Sequence, residues 1–160
     1  AVDPTSGPAL LLGAGGAARA IAAALLALGV PVAVANRTGA HAQALARALP
    51  GLRLLDWSAR EEALGEYALL VNTTPCGMDG RGALAMDLSR AHPTLAVADI
   101  VYVPLETPLL AQARARGLRT VDGLGMLLHQ ARPGFAAWFG VDPVVDAALR
   151  AFVAADIGAT

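Results

Sequence analysis

The stretch that constrains this chain most is "LLLGAGGAARA", Leu10 to Ala20. A short apolar run stops at a glycine, and small, helix-forming residues follow at once. A strand that enters a helix through so tight a turn needs Gly13, whose backbone reaches angles closed to other residues. Gly15 lets a ligand approach the main chain, and Ala18 keeps the helix close to its strand. The three positions fit G-x-G-x-x-A. In this strand–turn–helix setting the free N–H groups of the helix start form a cradle for a diphosphate. The bare motif also suits a turn that binds nothing, so the setting carries the reading.

The rest of the chain supplies that setting. "ALLLG" (9–13), "VAVAN" (32–36), "LRLLD" (52–56), "ALLVNT" (68–73), "LAVADIV" (95–101) and "LRTVDG" (118–123) read as six strands, most of them apolar on both faces. Strands of that kind belong in a parallel sheet covered on both sides. Helical segments lie between them. "GAARAIAAALLALG" ends in Gly29 and "GAHAQALARALPG" at Pro50-Gly51, while "SAREEALGEY" has Ser58 and Glu61 spaced as a capping box. "ETPLLAQARARG" precedes the sixth strand. This alternation predicts an α/β fold with right-handed crossovers and a doubly wound parallel sheet. Residues 74–94, rich in glycine and turn residues, read as a long loop with at most a short helix. After the sixth strand come two helical stretches with no strand to follow, and Pro133 should kink or interrupt the first.

Composition narrows the function. The chain has 160 residues, 56% of them hydrophobic, enough for one domain with a real core. A net charge of −1 gives no support for nucleic-acid or anionic-membrane binding. A single cysteine, Cys76, excludes an internal disulfide and disfavours a thiolate metal site, which suits a reducing cytoplasm. The start, "AVDPTSGP", shows neither a leader nor Met, and reads as a linker over residues 1–7. All twelve basic residues are arginines, so no mechanism that needs a lysine can be completed here.

The end of the second strand reads the nucleotide. An NAD site places an acid about 20 residues after the glycines, on the ribose 2′-hydroxyl. Here that place holds Asn36, Arg37 and Thr38. A carboxylate would repel a 2′-phosphate, whereas a guanidinium and a hydroxyl accept it through charge-assisted hydrogen bonds. Arg37 therefore points to NADP. A solvated arginine at a strand end is the plainer alternative.

"GAGGAARA", "NRT", "VNTTPCGM", "ADIVYVPLETPLL" and "DGLGMLLHQA" follow one another in the order seen in the NADP-binding half of shikimate dehydrogenases, which the chain resembles from about Pro8 to Ala155. The resemblance implies a Rossmann-type sheet of order 3-2-1-4-5-6 over residues 8–123. It also implies C-terminal helices over 124–157 that pack toward a separate N-terminal catalytic domain. That domain, with its Lys–Asp pair and most of the substrate pocket, lies outside these 160 residues. No residue of this chain is assigned a catalytic role.

Carried over on the matching motifs, Gly13, Ala14, Gly15, Gly16 and Ala17 form the diphosphate loop. Asn36, Arg37 and Thr38 take the 2′-phosphate and adenosine, with His41 where the family usually has Lys or Arg. Asn72, Thr73 and Thr74 match the turn beside the nicotinamide ribose, and Ile100 a backbone contact to the cofactor. Gly123 and Met126 resemble nicotinamide-side contacts; Tyr102 and Gln130 resemble groups that reach the substrate. Asn72, Tyr102 and Gly123 also fall at carboxyl ends of strands, the edge where doubly wound sheets bind ligands.

Several residues take a plainer reading. Cys76 is a loop thiol rather than a nucleophile, Asp99 caps or orients, and His92 and His129 lack metal-ligand spacing. The resemblance implies NADPH-dependent reduction of 3-dehydroshikimate to shikimate, with the chain alone binding NADP without turnover. The alternatives are a quinate/shikimate dehydrogenase, the NADPH domain of glutamyl-tRNA reductase, and a non-catalytic nucleotide-binding module. The expected partners are shikimate or 3-dehydroshikimate together with the N-terminal domain. Because the last two segments hold more apolar surface than one sheet face covers, they are expected to self-associate or fray.

Overall fold

A computed structural model describes residues 2–158. Six strands form one sheet: β1 (Ala9–Leu12), β2 (Val32–Ala35), β3 (Arg53–Leu54), β4 (Leu69–Asn72), β5 (Ala96–Asp99) and β6 (Arg119–Val121). Their order is β3-β2-β1-β4-β5-β6, and every pairing is parallel. This is the doubly wound order expected from the sequence. It reverses direction between β1 and β4, and the carboxyl ends of those strands flank a crevice.

The sheet sorts its side chains by the period of two. Leu10, Leu12, Leu70 and Val97 enter one core, while Ala9, Leu11, Val32, Val34 and Leu69 enter the other. Helices α1 (Gly16–Ala27) and α2 (Gly39–Ala48) cover the second face through Ala18, Ala22, Leu25, Ala42 and Leu45. On the first face α3 (Pro108–Ala115) contributes Leu109, Leu110 and Ala113. The inner strands are buried almost throughout, but the edge strands β3 and β6 are largely exposed. Their alternation with polar residues (Arg53, Arg119) reflects a neighbour on one side only.

The connection from β4 to β5 is a loop, as expected, yet it does a helix's work. In "ALAMDL", Ala83 to Leu88, every second residue is buried: Leu84, Met86 and Leu88. An extended segment with alternating burial thus covers part of the first face.

One local expectation fails and another holds at most in part. Ser58 does not cap an α-helix; the segment forms two short 3₁₀ turns, Trp57–Ala59 and Glu62–Glu66, with no side-chain cap. Arg60 explains this. Its guanidinium donates to the Trp57 carbonyl (2.7 Å) and to the Ala85 carbonyl (2.9 Å) and lies 4.4 Å over the Trp57 ring. These ties pull the segment under the long loop and outweigh a cap worth about 1 kcal/mol. Pro133 does not interrupt its helix either. α4 runs from Leu124 to Phe139 with Pro133 inside it. The proline has no N–H for the His129 carbonyl, so the helix continues one hydrogen bond short.

α4 ends at Gly140 in the left-handed conformation (φ 70°), and α5 (Ala147–Gly158) follows. Arg132 pairs with Asp142 at 2.7 Å, and Arg150 pairs with Asp122 at 2.6 Å, fastening α5 to the end of β6. Leu124 is the one fully buried hydrophobic residue of α4. Phe135, Trp138, Phe139 and Phe152 are exposed.

Candidate functional site

The carboxyl edge of the sheet gathers the residues singled out above. Gly13 follows β1 with φ +107°, and a Cβ there would lie 2.6 Å from Thr73 Oγ1. Only glycine lets the turns after β1 and β4 touch. Thr73 completes that contact by donating its N–H (2.8 Å) and its hydroxyl (2.7 Å) to the Leu12 carbonyl. Beyond it, Gly15 and Gly16 are exposed, and a Cβ on either would meet nothing within 4 Å. α1 therefore starts against open space, with no side-chain cap and no acid in its first turn. Its first N–H groups lack intrahelical partners and carry the positive end of the helix dipole.

α2 opens in the same way. Its N-cap residue, Thr38, makes no side-chain cap bond. Asn36 instead shapes the approach by donating its amide to the Thr38 carbonyl at 2.8 Å. Arg37, Thr38 and His41 are all exposed beside it. α3 provides the contrast, since Thr107 caps it by accepting from the Leu110 N–H at 3.3 Å. Two helix starts on the β1–β2 side are open, and the α3 start is closed.

The turn after β4 is held from below. Asn72 is fully buried and its amide is committed inward. Its Oδ1 accepts from the Thr74 N–H (3.0 Å) and hydroxyl (2.7 Å), while Nδ2 donates to Asp99 Oδ1 (3.0 Å) and the Cys76 carbonyl (3.3 Å). Asn72 thus contributes by placing Thr74, while Thr73 is held by the Leu12 carbonyl; both threonines are half-buried at the crevice. Asp99 also accepts from the Val101 N–H and the Thr107 hydroxyl. Burial pushes its carboxyl above the ordinary value of 3.8, against the opposing pull of those donors. The orienting role read for Asp99 is what the geometry shows.

On the β5–β6 side Gly123 does for α4 what Gly13 does for the β1 turn. A Cβ there would overlap the Ile100 carbonyl oxygen and lie 2.5 Å from that of Val101. Its N–H donates to the Val101 carbonyl at 3.2 Å, and the Ile100 N–H donates to the Asn72 carbonyl at 3.1 Å. Tyr102 and Met126 are half-buried. Gln130, nearly two turns into α4, is exposed, so its amide faces solvent rather than the sheet.

A cleft of about 560 Å³ runs between the β2 and β4 ends, lined by Asn36, Arg37, Thr38, His41, Trp57 and Thr74 among others. A second, of about 400 Å³, shares Asn36, Arg37 and Trp57 with it. Both have the size of small-ligand sites. The sequence reading missed Trp57. Its signal was position: three residues past the end of β3, beside the β2 edge, a large aromatic ring forms a wall. The open α1 start, the glycines without room for Cβ and the cationic cleft fit a dinucleotide with a diphosphate and a further phosphate. Among the described residues no group of three or more His, Cys, Asp or Glu is placed to hold a metal. Among them no helix is long and apolar enough to cross a membrane.

Comparisons with known proteins bear on the same edge. The family model for shikimate / quinate 5-dehydrogenase matches residues 4–77. The NADP(+) shikimate dehydrogenase of Acidiphilium cryptum is 65% identical over 98% of this chain and 56% of its own length. Among solved structures, the shikimate 5-dehydrogenase of Thermus thermophilus in complex with NADP(H) and shikimate superposes with TM-score 0.81 at 40% identity, covering 96% of this chain and 56% of that one. Quinate dehydrogenase from Corynebacterium glutamicum in complex with NAD gives TM-score 0.79 at 35% identity over 86% of this chain and 51% of that one. The chain spans a little over half the length of the relatives it matches.

Proposed function

We propose that this chain, a member of the shikimate dehydrogenase family, is the half that holds NADP for the reversible reduction of 3-dehydroshikimate to shikimate. The observation that carries the reading is the pairing of an uncapped α1 start behind Gly13 with Arg37 and Thr38 at an uncapped α2 start. The names of the relatives support the choice of substrate and cofactor.

When bound, NADPH would supply a hydride from its nicotinamide ring to the substrate ketone. The chain's own residues bind and orient. The N–H groups from Gly15 onward would hold the diphosphate, with Ala14 and Ala17 shaping the loop. Arg37 and the Thr38 hydroxyl would hold the 2′-phosphate, and His41 would add a hydrogen bond. Thr73, tied to the Leu12 carbonyl, and Thr74, fixed by Asn72, would flank the nicotinamide ribose. Ile100, Gly123 and Met126 would border the nicotinamide, and Tyr102 and Gln130 would face the substrate. The base is assigned to another part of the protein, since these 160 residues contain no lysine. Residues 1–7 would be the linker to that part, and 124–157 the helices that pack on it.

The test is to mix the purified chain with NADP and shikimate. Cofactor should bind, and NADPH should form only at background rate, because acid–base help is worth about 10²–10⁴ and positioning more. Turnover near an ordinary enzymatic rate of about 1 s⁻¹ would overturn the division of labour.

A further inference from the structure

We propose that Arg81, on the loop between β4 and β5, is the second cation for the 2′-phosphate and shares with Arg37 the selection of a 2′-phosphorylated nucleotide. This rests on the reading of Arg37 above. The larger cleft is lined by Arg37, Thr38 and His41 from the end of β2, by Thr74, Pro75 and Cys76 from the turn after β4, and by Arg81, Gly82 and Ala83 from the loop that follows. No Asp or Glu is among its eleven lining residues. Two guanidinium groups that border one cleft without a carboxylate leave a positive potential there, which a dianion offsets.

Neither group is used elsewhere. Arg60, Arg114, Arg132 and Arg150 pair with carboxylates, and Arg116 and Arg119 donate to carbonyls. No side-chain partner is found for Arg37 or Arg81 among the described residues, and of the arginines so left (Arg19, Arg37, Arg47, Arg53, Arg81 and Arg90) these two line the cleft. An imidazole at His41 offers at most two N–H donors, against five on a guanidinium that is always charged. A second guanidinium is therefore the group that would complete a dianion site.

The loop also gives Arg81 a defined place. The Gly77 N–H donates to the Gly82 carbonyl at 3.0 Å, closing a turn around residues 78–81. The Arg81 N–H donates to the Met78 carbonyl at 2.9 Å, and the Asp79 N–H to the Val103 carbonyl beyond β5 at 3.2 Å. Gly77, with φ +92°, is buried where a Cβ would stand 3.4 Å from the Thr107 side chain. The turn that carries Arg81 is thus pinned to the start of α3.

The experiment is calorimetric titration with adenosine 2′,5′-bisphosphate and with adenosine 5′-monophosphate, for wild type, Arg81→Ala, Arg81→Lys and Arg37→Ala. Arg81→Ala should weaken the bisphosphate roughly tenfold, leave the monophosphate unchanged, and melt as wild type does. Arg81→Lys should recover part of the loss. If Arg81→Ala binds both probes as wild type does while Arg37→Ala loses the bisphosphate preference, the role of Arg81 falls and that of Arg37 stands. Equal weakening of both probes by Arg81→Ala would also overturn the role. If wild type prefers neither probe, both assignments are wrong.

Discussion

α1 and α4 both begin at a glycine on the carboxyl edge of the sheet, yet only one of them becomes part of its core. α1 buries Ala18, Ala22 and Leu25, a stripe at helical spacing, against the two strands it connects. α4 is longer and more aromatic, yet Leu124 is its one buried residue, and Trp138 is 80% exposed. The difference lies in the connections. A crossover helix returns to the sheet because the next strand pulls it there. No strand follows α4, and α5, fastened by the Arg150–Asp122 pair, leaves Phe135, Phe139 and Phe152 uncovered. The sheet closes its own core, while the last two helices leave apolar surface exposed.

Truncation in the two regions gives the largest contrast. Leu88, fully buried where the long loop covers the sheet, should cost about 2–5 kcal/mol as Leu88→Ala. Trp138→Ala removes a larger side chain but should stay within about 0.5 kcal/mol in the monomer. Chemical denaturation of both variants measures this, and comparable losses would show that α4 is packed like the sheet.

The buried polar network beneath the sheet edge comes next. Asp99→Ala would leave the Asn72 amide, the Val101 N–H and the Thr107 hydroxyl short of an acceptor, at about 1–3 kcal/mol for each group left unsatisfied. Its pH dependence has a definite sign. Because burial raises the folded pKa above 3.8, the unfolded chain releases this proton first. The stability linked to Asp99 is therefore full below 3.8 and falls as pH rises through the raised value. Asp99→Asn should lack that fall, so its stability relative to wild type should increase across the window. A parallel pair of pH–stability curves would contradict this.

The clasp on α5 is the smallest term. Arg150→Ala removes a partly exposed ion pair worth about 0–1 kcal/mol, so global stability should hardly change. Amide exchange in α5 should quicken while β1, β4 and β5 keep their protection. Slowed or unchanged exchange in α5 would mean that another contact holds the helix.

What was legible in the sequence follows the same division. The six strands, the glycine turn and the Asn36–Arg37–Thr38 corner are local, with periodicity and backbone chemistry contained in a few neighbouring residues. Trp57 and Arg81 were not legible, because their meaning comes from lining the same cleft as Arg37, far apart in the chain. The capping box at Ser58 was a local signal overruled by a distant partner, the Ala85 carbonyl that holds Arg60. Residues 74–94 read correctly as a loop, but their covering role depends on the alternation at Leu84, Met86 and Leu88, which is strand-like without a strand.

The central claim is that the sheet half of this chain selects NADP at the end of β2. Calorimetric titration of wild type and Arg37→Ala with NADP and with NAD tests it most directly. Wild type should bind NADP more tightly than NAD, and Arg37→Ala should lose roughly tenfold or more for NADP, from one charge-assisted contact of about 1.5–3 kcal/mol, while NAD is nearly unchanged. Equal losses for both cofactors, or no preference in the wild type, would contradict the account.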